Sequence, residues 1–364
     1  MISPEVHRRA LVSFLEPLQP LLDDATVSEV LINGPFQIFV ERGGRLTRTK
    51  ARFSSRASLD AALRNIAQYA GRPLDSEHPI LEGHLPDGSR VQAMIPPASP
   101  DGPTVAIRRF SRDRLTVARL IEGGALTADA ADFLSELVSA KRNIIVAGGT
   151  GSGKTSLLNA LSSFVPPDER IVVLEDVREL DLAGDHVVRL VASGGDRRGR
   201  GRLTIRELFR ASLRLRPDRI VVGEIRGEEA VDLVQAMTSG HGGCLSTLHA
   251  THPIDSLRRL ETMALMSGLE LPLAALRAQV ASAIDVIVQT ARFRDGKRGV
   301  TDIVEVFGTD DGGAYELAEL FTRGANGTGN LVRTGVARRE AAERAGVRLS
   351  DATRVPTAAR SPSP

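Results

Sequence analysis

An N-terminal α+β domain followed by an α/β domain with a mostly parallel sheet is the fold this sequence predicts, on three observations. Apolar strand-like runs alternate with helix-like stretches over residues 127–307, as a parallel sheet flanked by helices requires. Residues 1–110 instead mix short strands, turn signals and one helical stretch. Finally, Gly148 to Thr155 read G-G-T-G-S-G-K-T, between the apolar run Ile144-Ile145-Val146-Ala147 and a helix-like stretch, Ser156 to Phe164.

In the first domain, Glu29 to Asn33 and Gln37 to Glu41 read as strands, with Asn33-Gly34-Pro35 breaking the run between them. Gly43-Gly44 marks the next turn. A helix is expected over Ser58 to Ala70, where Leu59, Leu63, Ile66, Ala67 and Ala70 fall near one face, and Gly71 and Pro73 end it. Two strands flank Pro86-Asp87-Gly88, which has proline and glycine where a type I or II turn takes them. Pro96-Pro97 and Pro100 to Pro103 form a loop before a strand at Val105 to Phe110, and residues 111–126 read as a linker.

The second domain has five expected strands: Asn143 to Ala147, Ile171 to Leu174, Arg219 to Val222, Cys244 to Leu248 and Val286 to Gln289. Ligands of open α/β sheets bind beyond the carboxyl ends of the strands, so these ends are expected to converge on one site. After Gly308 the signal weakens to one short element at Leu317 to Phe321. Residues 308–364 read as a partly disordered tail, with Arg354 to Pro364 carrying no periodicity.

With 364 residues, there is room for two or three domains of about 150 residues each. The apolar fraction of 42% suffices for a core, and the absence of tryptophan makes that core aliphatic. A single cysteine, Cys244, excludes a disulfide framework and suits a reducing compartment. No apolar run approaches the ~20 residues that span a bilayer. Met1 to Ala10 has no apolar core behind it, so a signal peptide is not expected. The net charge is +2, and the cations are almost all arginine. Lysine occurs only at Lys50, Lys141, Lys154 and Lys297, which makes its presence in the glycine-rich loop conspicuous.

That loop fits G-x-x-x-x-G-K-[ST]. A strand that delivers a glycine-rich turn into a helix N-terminus aims backbone N–H groups and the helix dipole at a polyphosphate. Gly148, Gly149, Thr150, Gly151, Ser152, Gly153 and Ser156 would line it, Lys154 would reach the β- and γ-phosphates of ATP, and Thr155 would ligate Mg²⁺. Hydrolysis also needs a positioned water. Ile220-Val221-Val222-Gly223 runs into Glu224, the candidate for orienting that water, and Ile171 to Leu174 runs into Glu175-Asp176, candidates for the metal shell.

His241 and His249 are candidates for sensing the γ-phosphate. A zinc site from His241, Cys244, His249 and His252 is disfavoured, because their spacing is poor. Positive charge could come from Arg210, Arg214 and Arg216 ahead of the Glu224 strand, or from Arg90 and Arg108-Arg109 in the first domain.

Four motifs in this order resemble the secretion-superfamily ATPases of type II and type IV secretion, pili and conjugation: the loop Gly148–Thr155, V-L-E-D-V-R-E-L at Val173–Leu180, R-P-D-R-I-V-V-G-E-I-R-G at Arg216–Gly227, and T-S-G-H-G-G-C-L-S-T-L-H-A at Thr238–Ala250. Glycine at 223 is usual in that family. L-P-D-G-S-R-V-Q-A-M-I-P-P at Leu85–Pro97, A-I-R-R-F at Ala106–Phe110 and A-S-A-I-D-V-I-V-Q at Ala281–Gln289 resemble its tight-adherence pilus and conjugation-type branch. The four-cysteine zinc element of type II secretion ATPases and the A-I-R-N-L-I retraction signature are absent, and the loop Ser193 to Arg202 is unusually rich in glycine and arginine.

The resemblance implies a RecA-like P-loop ATPase domain in a homo-hexamer, with nucleotide between the two domains and the ring docked on an inner-membrane platform protein at the cytoplasmic face. It further implies that Arg90 and Arg108 face the nucleotide and that Arg214 or Arg216 serve the phosphates. A nucleic-acid translocase is the alternative that shares the core, but no aromatic residues interleave with the basic runs, so no nucleic acid is expected. A nucleotide-binding scaffold is the other, against which Lys154, Thr155 and Glu224 count.

Overall fold

The computed structural model describes residues 11–109, 115–182, 184–194, 201–268, 270–324 and 329–335. Met1 to Ala10, most of the Ser193–Arg202 loop and the Arg354–Pro364 tail, about which the sequence made expectations, lie outside them. The chain divides into two compact units, Met1–Asp113 with Gly194–Arg202, and Arg114–Ser193 with Leu203–Pro364. No helix among the described residues is long and apolar enough to cross a membrane.

The first unit is a six-stranded antiparallel sheet in the order β3-β2-β1-β6-β5-β4, built from β1 (Val27–Asn33), β2 (Ile38–Arg42), β3 (Arg45–Arg48), β4 (Ile80–His84), β5 (Arg90–Met94) and β6 (Thr104–Arg108). Alternation sets its two faces. In β6, Val105 and Ile107 are buried while Thr104, Ala106 and Arg108 are exposed. The buried face packs on the helix Arg56–Tyr69 through Leu59, Ala62, Leu63, Ile66 and Ala67. That helix begins earlier than the apolar pattern suggests, because Ser55 and Ser58 form a reciprocal capping box, worth about 1 kcal/mol. At its end, a β-carbon on Gly83 would lie 2.8 Å from that of Ala70, so helix and sheet meet there only through glycine.

The second unit is a nine-stranded sheet in the order β17-β16-β15-β14-β7-β13-β12-β8-β9. All five expected strands form: β7 (Ile144–Gly148), β8 (Ile171–Glu175), β12 (Arg219–Val222), β13 (Leu245–Leu248) and β14 (Val286–Arg292). With β9 (Val187–Val191) they make a parallel block, β14-β7-β13-β12-β8-β9. Both faces of β7 are covered. Ile145 and Ala147 enter the core made with the helices Ile205–Ser212, Glu229–Thr238, Pro253–Leu265 and Leu273–Ala283, while Ile144 and Val146 enter the one made with Ala128–Ser139 and Lys154–Ser162. Between β9 and β12, the two-residue strands β10 (Ser193–Gly194) and β11 (Arg202–Leu203) pair separately.

Beyond Arg292 the structure departs from expectation. A long antiparallel hairpin, β15 (Arg298–Thr309) and β16 (Tyr315–Arg323), extends the sheet, and β17 (Leu331–Arg333) closes its edge. The sequence showed only Leu317 to Phe321 of this, since most of β16 is partly exposed and carries Glu316 and Glu319 among its apolar residues.

Candidate nucleotide-binding site

Parallel pairing brings Gly148, Glu175, Gly223 and His249 to the same end of the sheet. The loop after β7 is shaped by contact and by backbone. A β-carbon on Gly148 would stand 2.4 Å from Thr290 Oγ1 and 2.5 Å from Ser152 Oγ. Gly151 and Gly153 have φ of +68° and +99°, the left-handed region that strains any residue with a side chain. Gly153 is the N-cap of the helix Lys154–Ser162 and offers no side-chain cap, so the first-turn N–H groups remain available to an anion. Gly149 and Thr150 are exposed, Thr155 and Ser156 half-buried in the first helical turn, and Ser152 is buried with its hydroxyl 2.8 Å from Thr290 Oγ1. Thr290 in turn donates to the Ala147 carbonyl.

Lys154 is buried. Its ammonium donates to the carbonyls of Gly148 at 3.0 Å and Gly149 at 2.9 Å, and lies 3.4 Å from His249 Nδ1. The other ring nitrogen of His249, Nε2, is 2.8 Å from Glu224 Oε1. Arg226 Nη2 donates to Glu224 Oε2 at 2.5 Å, and Arg226 Nη1 stands 3.7 Å from Asp176. One line of polar contacts therefore runs from the phosphate loop through the strand ends to the acidic box. Burial and the Lys154 charge hold His249 below its ordinary value, against the pull of Glu224.

Glu175 and Gly223 explain each other. Gly223 N donates to the Leu174 carbonyl, which sets position 223 beside Glu175, and a β-carbon there would lie 3.0 Å from Glu175 Cγ. The glutamate side chain thus fills the space an acidic residue at 223 would need. Glu175 Oε1 accepts from the N–H groups of Glu179 and Leu180, at 2.8 and 2.7 Å, while Oε2 is buried and has no partner among the described residues. Burial pushes its carboxyl up to about 7, the two N–H bonds opposing. Asp176 is exposed at the end of the same strand.

Two expectations need correction. His241 stands at the amino end of β13, opposite the phosphate loop. Its N–H donates to Ala236 O, its carbonyl accepts from the buried Cys244 thiol, and Gly242 and Gly243 beside it pack on Lys141. Arg214 and Arg216 likewise precede the amino end of β12 and are exposed there, so the strand separates them from the loop of their own chain. Their neighbours in the run are structural: Arg210 pairs with Asp232 at 2.8 Å, and the buried Arg219 pairs with Glu169 at 2.5 Å. His241, Cys244, His249 and His252 do not converge, and no group of three or more potential metal ligands occurs among the described residues. Arg90 and Arg108 belong to the first unit, where they are register partners on β5 and β6; Arg90 pairs with Glu82 and Arg108 is exposed.

Sequence reading missed Arg226 and Thr290. Arg226 lies within the motif that carries Glu224, two residues on, and only that spacing marked it. Thr290 has no motif; it reaches the loop because β14 pairs with β7, in register with Gly148. An apolar cleft lined by Leu115, Leu120, Leu126, Leu157 and Val300 opens beside Ser152 and Gly153, with Arg298 on its wall.

The family model for type II/IV secretion system proteins matches residues 13–345. The chain belongs to this secretion ATPase family. Among family relatives, the putative conjugal transfer protein Rv3659c of Mycobacterium tuberculosis is 38% identical over 292 residues, covering 79% of this chain and 82% of the relative. The type IV secretion system protein PtlH of Bordetella pertussis is 36% identical over 329 residues, covering 83% and 96%. The X-ray structure of the Legionella pneumophila ATPase DotB matches with a TM-score of 0.57 at 19% identity over 79% of each chain, a likeness of fold. The α/β fold expected from the sequence thus stands, and these relatives carry conjugation and type IV secretion names rather than tight-adherence ones.

Proposed function

We propose that this protein is a hexameric, Mg-dependent ATPase that powers pilus assembly or protein export through an inner-membrane platform protein, in a system of the conjugation or tight-adherence type. The observation that carries this is the line from Lys154 through His249 to Glu224, which joins a phosphate-binding lysine to a carboxylate able to orient water.

Bound Mg²⁺ supplies charge neutralisation on the β- and γ-phosphates. The residues present fit it: Thr155 opens the helix at the loop, and the buried Oε2 of Glu175 lacks a partner that a hydrated cation would provide. The N–H groups of 149–155 and Lys154 hold the phosphates. Glu224 orients the water that attacks the γ-phosphorus, breaking its bond to the bridging oxygen and releasing ADP and phosphate. His249 keeps Glu224 aligned, and the apolar cleft beside Gly153 suits the nucleoside. Steady-state ATPase activity titrated with single-stranded DNA tests this reading. Turnover indifferent to DNA at moderate salt is expected; strong stimulation would favour a nucleic-acid translocase.

A further inference from the structure

Two consecutive residues of β14 brace the two halves of the nucleotide site. Thr290 holds the phosphate loop, through Ser152 and the Ala147 carbonyl. Gln289 holds the histidine segment. Its Nε2 donates to the carbonyl of Ala250 at 3.0 Å and to that of Thr251 at 3.1 Å. Those carbonyls follow His249 directly, in a stretch that is neither strand nor helix, because β13 ends at Leu248 and the next helix starts at Pro253.

Strand register sets this reach. β7 lies between β14 and β13, and Ala147 is aligned with Gln289 on one side and with Leu248 on the other. Residues aligned across a ladder share a face, so the Gln289 side chain crosses β7 over Ala147, which carries only a methyl. The pairing of β13 with β7 stops at Leu248. From there the two bonds from Gln289 hold the chain where the ladder no longer does.

Packing alone does not account for Gln289. The residue is 4% exposed, and its Oε1 is buried with no partner among the described residues. A methionine would fill the same space without stranding a carbonyl. What the carboxamide adds is a pair of hydrogen bonds to one segment.

We propose that Gln289 is a positioning residue: by pinning Ala250 and Thr251 it fixes where the His249 ring stands between Lys154 Nζ and Glu224 Oε1. This rests on the reading of Glu224 as the group that orients water. With the clamp released, the carbonyls turn, the ring loses its place and Glu224 loses its alignment. The phosphate loop, braced separately by Thr290, keeps its hold on ATP.

The test compares Gln289→Met, which keeps the length and removes the donors, with Ile287→Val, which trims the same buried face of β14 two residues earlier. Three quantities are read on the full chain: the ring nitrogen signals of His249, identified by their loss in His249→Ala; the affinity for a fluorescent ATP analogue; and kcat and KM for Mg-ATP. Gln289→Met should move the His249 signals and lower kcat about tenfold, with KM and analogue affinity unchanged. Ile287→Val should change none of these. Unmoved ring signals, a fall in analogue affinity in place of kcat, or equal effects of the two variants would overturn the proposal. The ring signals need no turnover, so a wild-type chain that hydrolyses no ATP would refute the hydrolytic reading while the signals still decide the clamp.

Discussion

His249 Nε2 lies 2.8 Å from Glu224 Oε1 while its Nδ1 lies 3.4 Å from Lys154 Nζ. A single neutral tautomer satisfies both contacts: Nε2–H donates to the carboxylate and Nδ1 accepts from the ammonium. The histidine thereby connects the group that holds phosphate to the group that handles water.

Nitrogen-detected NMR of His249 should show the Nε2–H tautomer and a titration below the ordinary histidine value. Lys154→Ala should move that titration upward, since the Lys154 charge is the second cause of the depression after burial. A titration unchanged by Lys154→Ala would show that the contact is not made in solution.

Glu224→Gln keeps the shape of the site and removes the charge that orients water. ATP binding should be retained and turnover should fall by roughly a hundredfold or more. Loss of ATP binding in this variant would assign Glu224 a structural rather than a water-handling part.

The Glu175 carboxyl makes stability pH-dependent. Its folded value is raised from 4.5 to about 7, so the folded chain holds a proton that the unfolded chain releases. This contribution is fully present below pH ~4.5 and is lost as pH rises through about 7. At pH 8 the ionised, buried carboxyl costs up to about 3 kcal/mol. Glu175→Gln should therefore melt higher than wild type at pH 8, in nucleotide-free buffer, with the gap shrinking toward pH 5. A gap that does not change with pH would contradict the buried, proton-holding geometry.

Gly223 should tolerate no side chain. Gly223→Ala sets a methyl 3.0 Å from Glu175 Cγ, a carbon locked by the two N–H bonds to its carboxylate. A loss of about 1 kcal/mol in chemical denaturation is expected, and unchanged stability would mean that the Glu175 side chain moves freely.

The parts of this site that chemistry confines to a short stretch were legible in the sequence. Gly148 to Thr155 announced themselves because the glycines, the lysine and the threonine all belong to one loop, and Glu175 and Glu224 because each ends an apolar strand. What stayed hidden depends on how strands are ordered. Thr290 joins the loop only because β14 lies beside β7. His241 and His249 look equivalent on either side of a short apolar run, yet that run, β13, carries them to opposite ends of the sheet. The same geometry moved Arg214 and Arg216 away from the loop, since residues before a parallel strand lie at its amino end. In β15 and β16 the periodicity faded because partly exposed strands admit charges on their open side.

Phosphate release from Mg-ATP by the purified chain, measured for wild type beside Lys154→Ala, tests the central claim most directly. Steady turnover in wild type that vanishes in Lys154→Ala is the predicted result. Near-normal turnover in the variant, or none in wild type at any magnesium concentration, would contradict the assignment of this loop as the catalytic phosphate site.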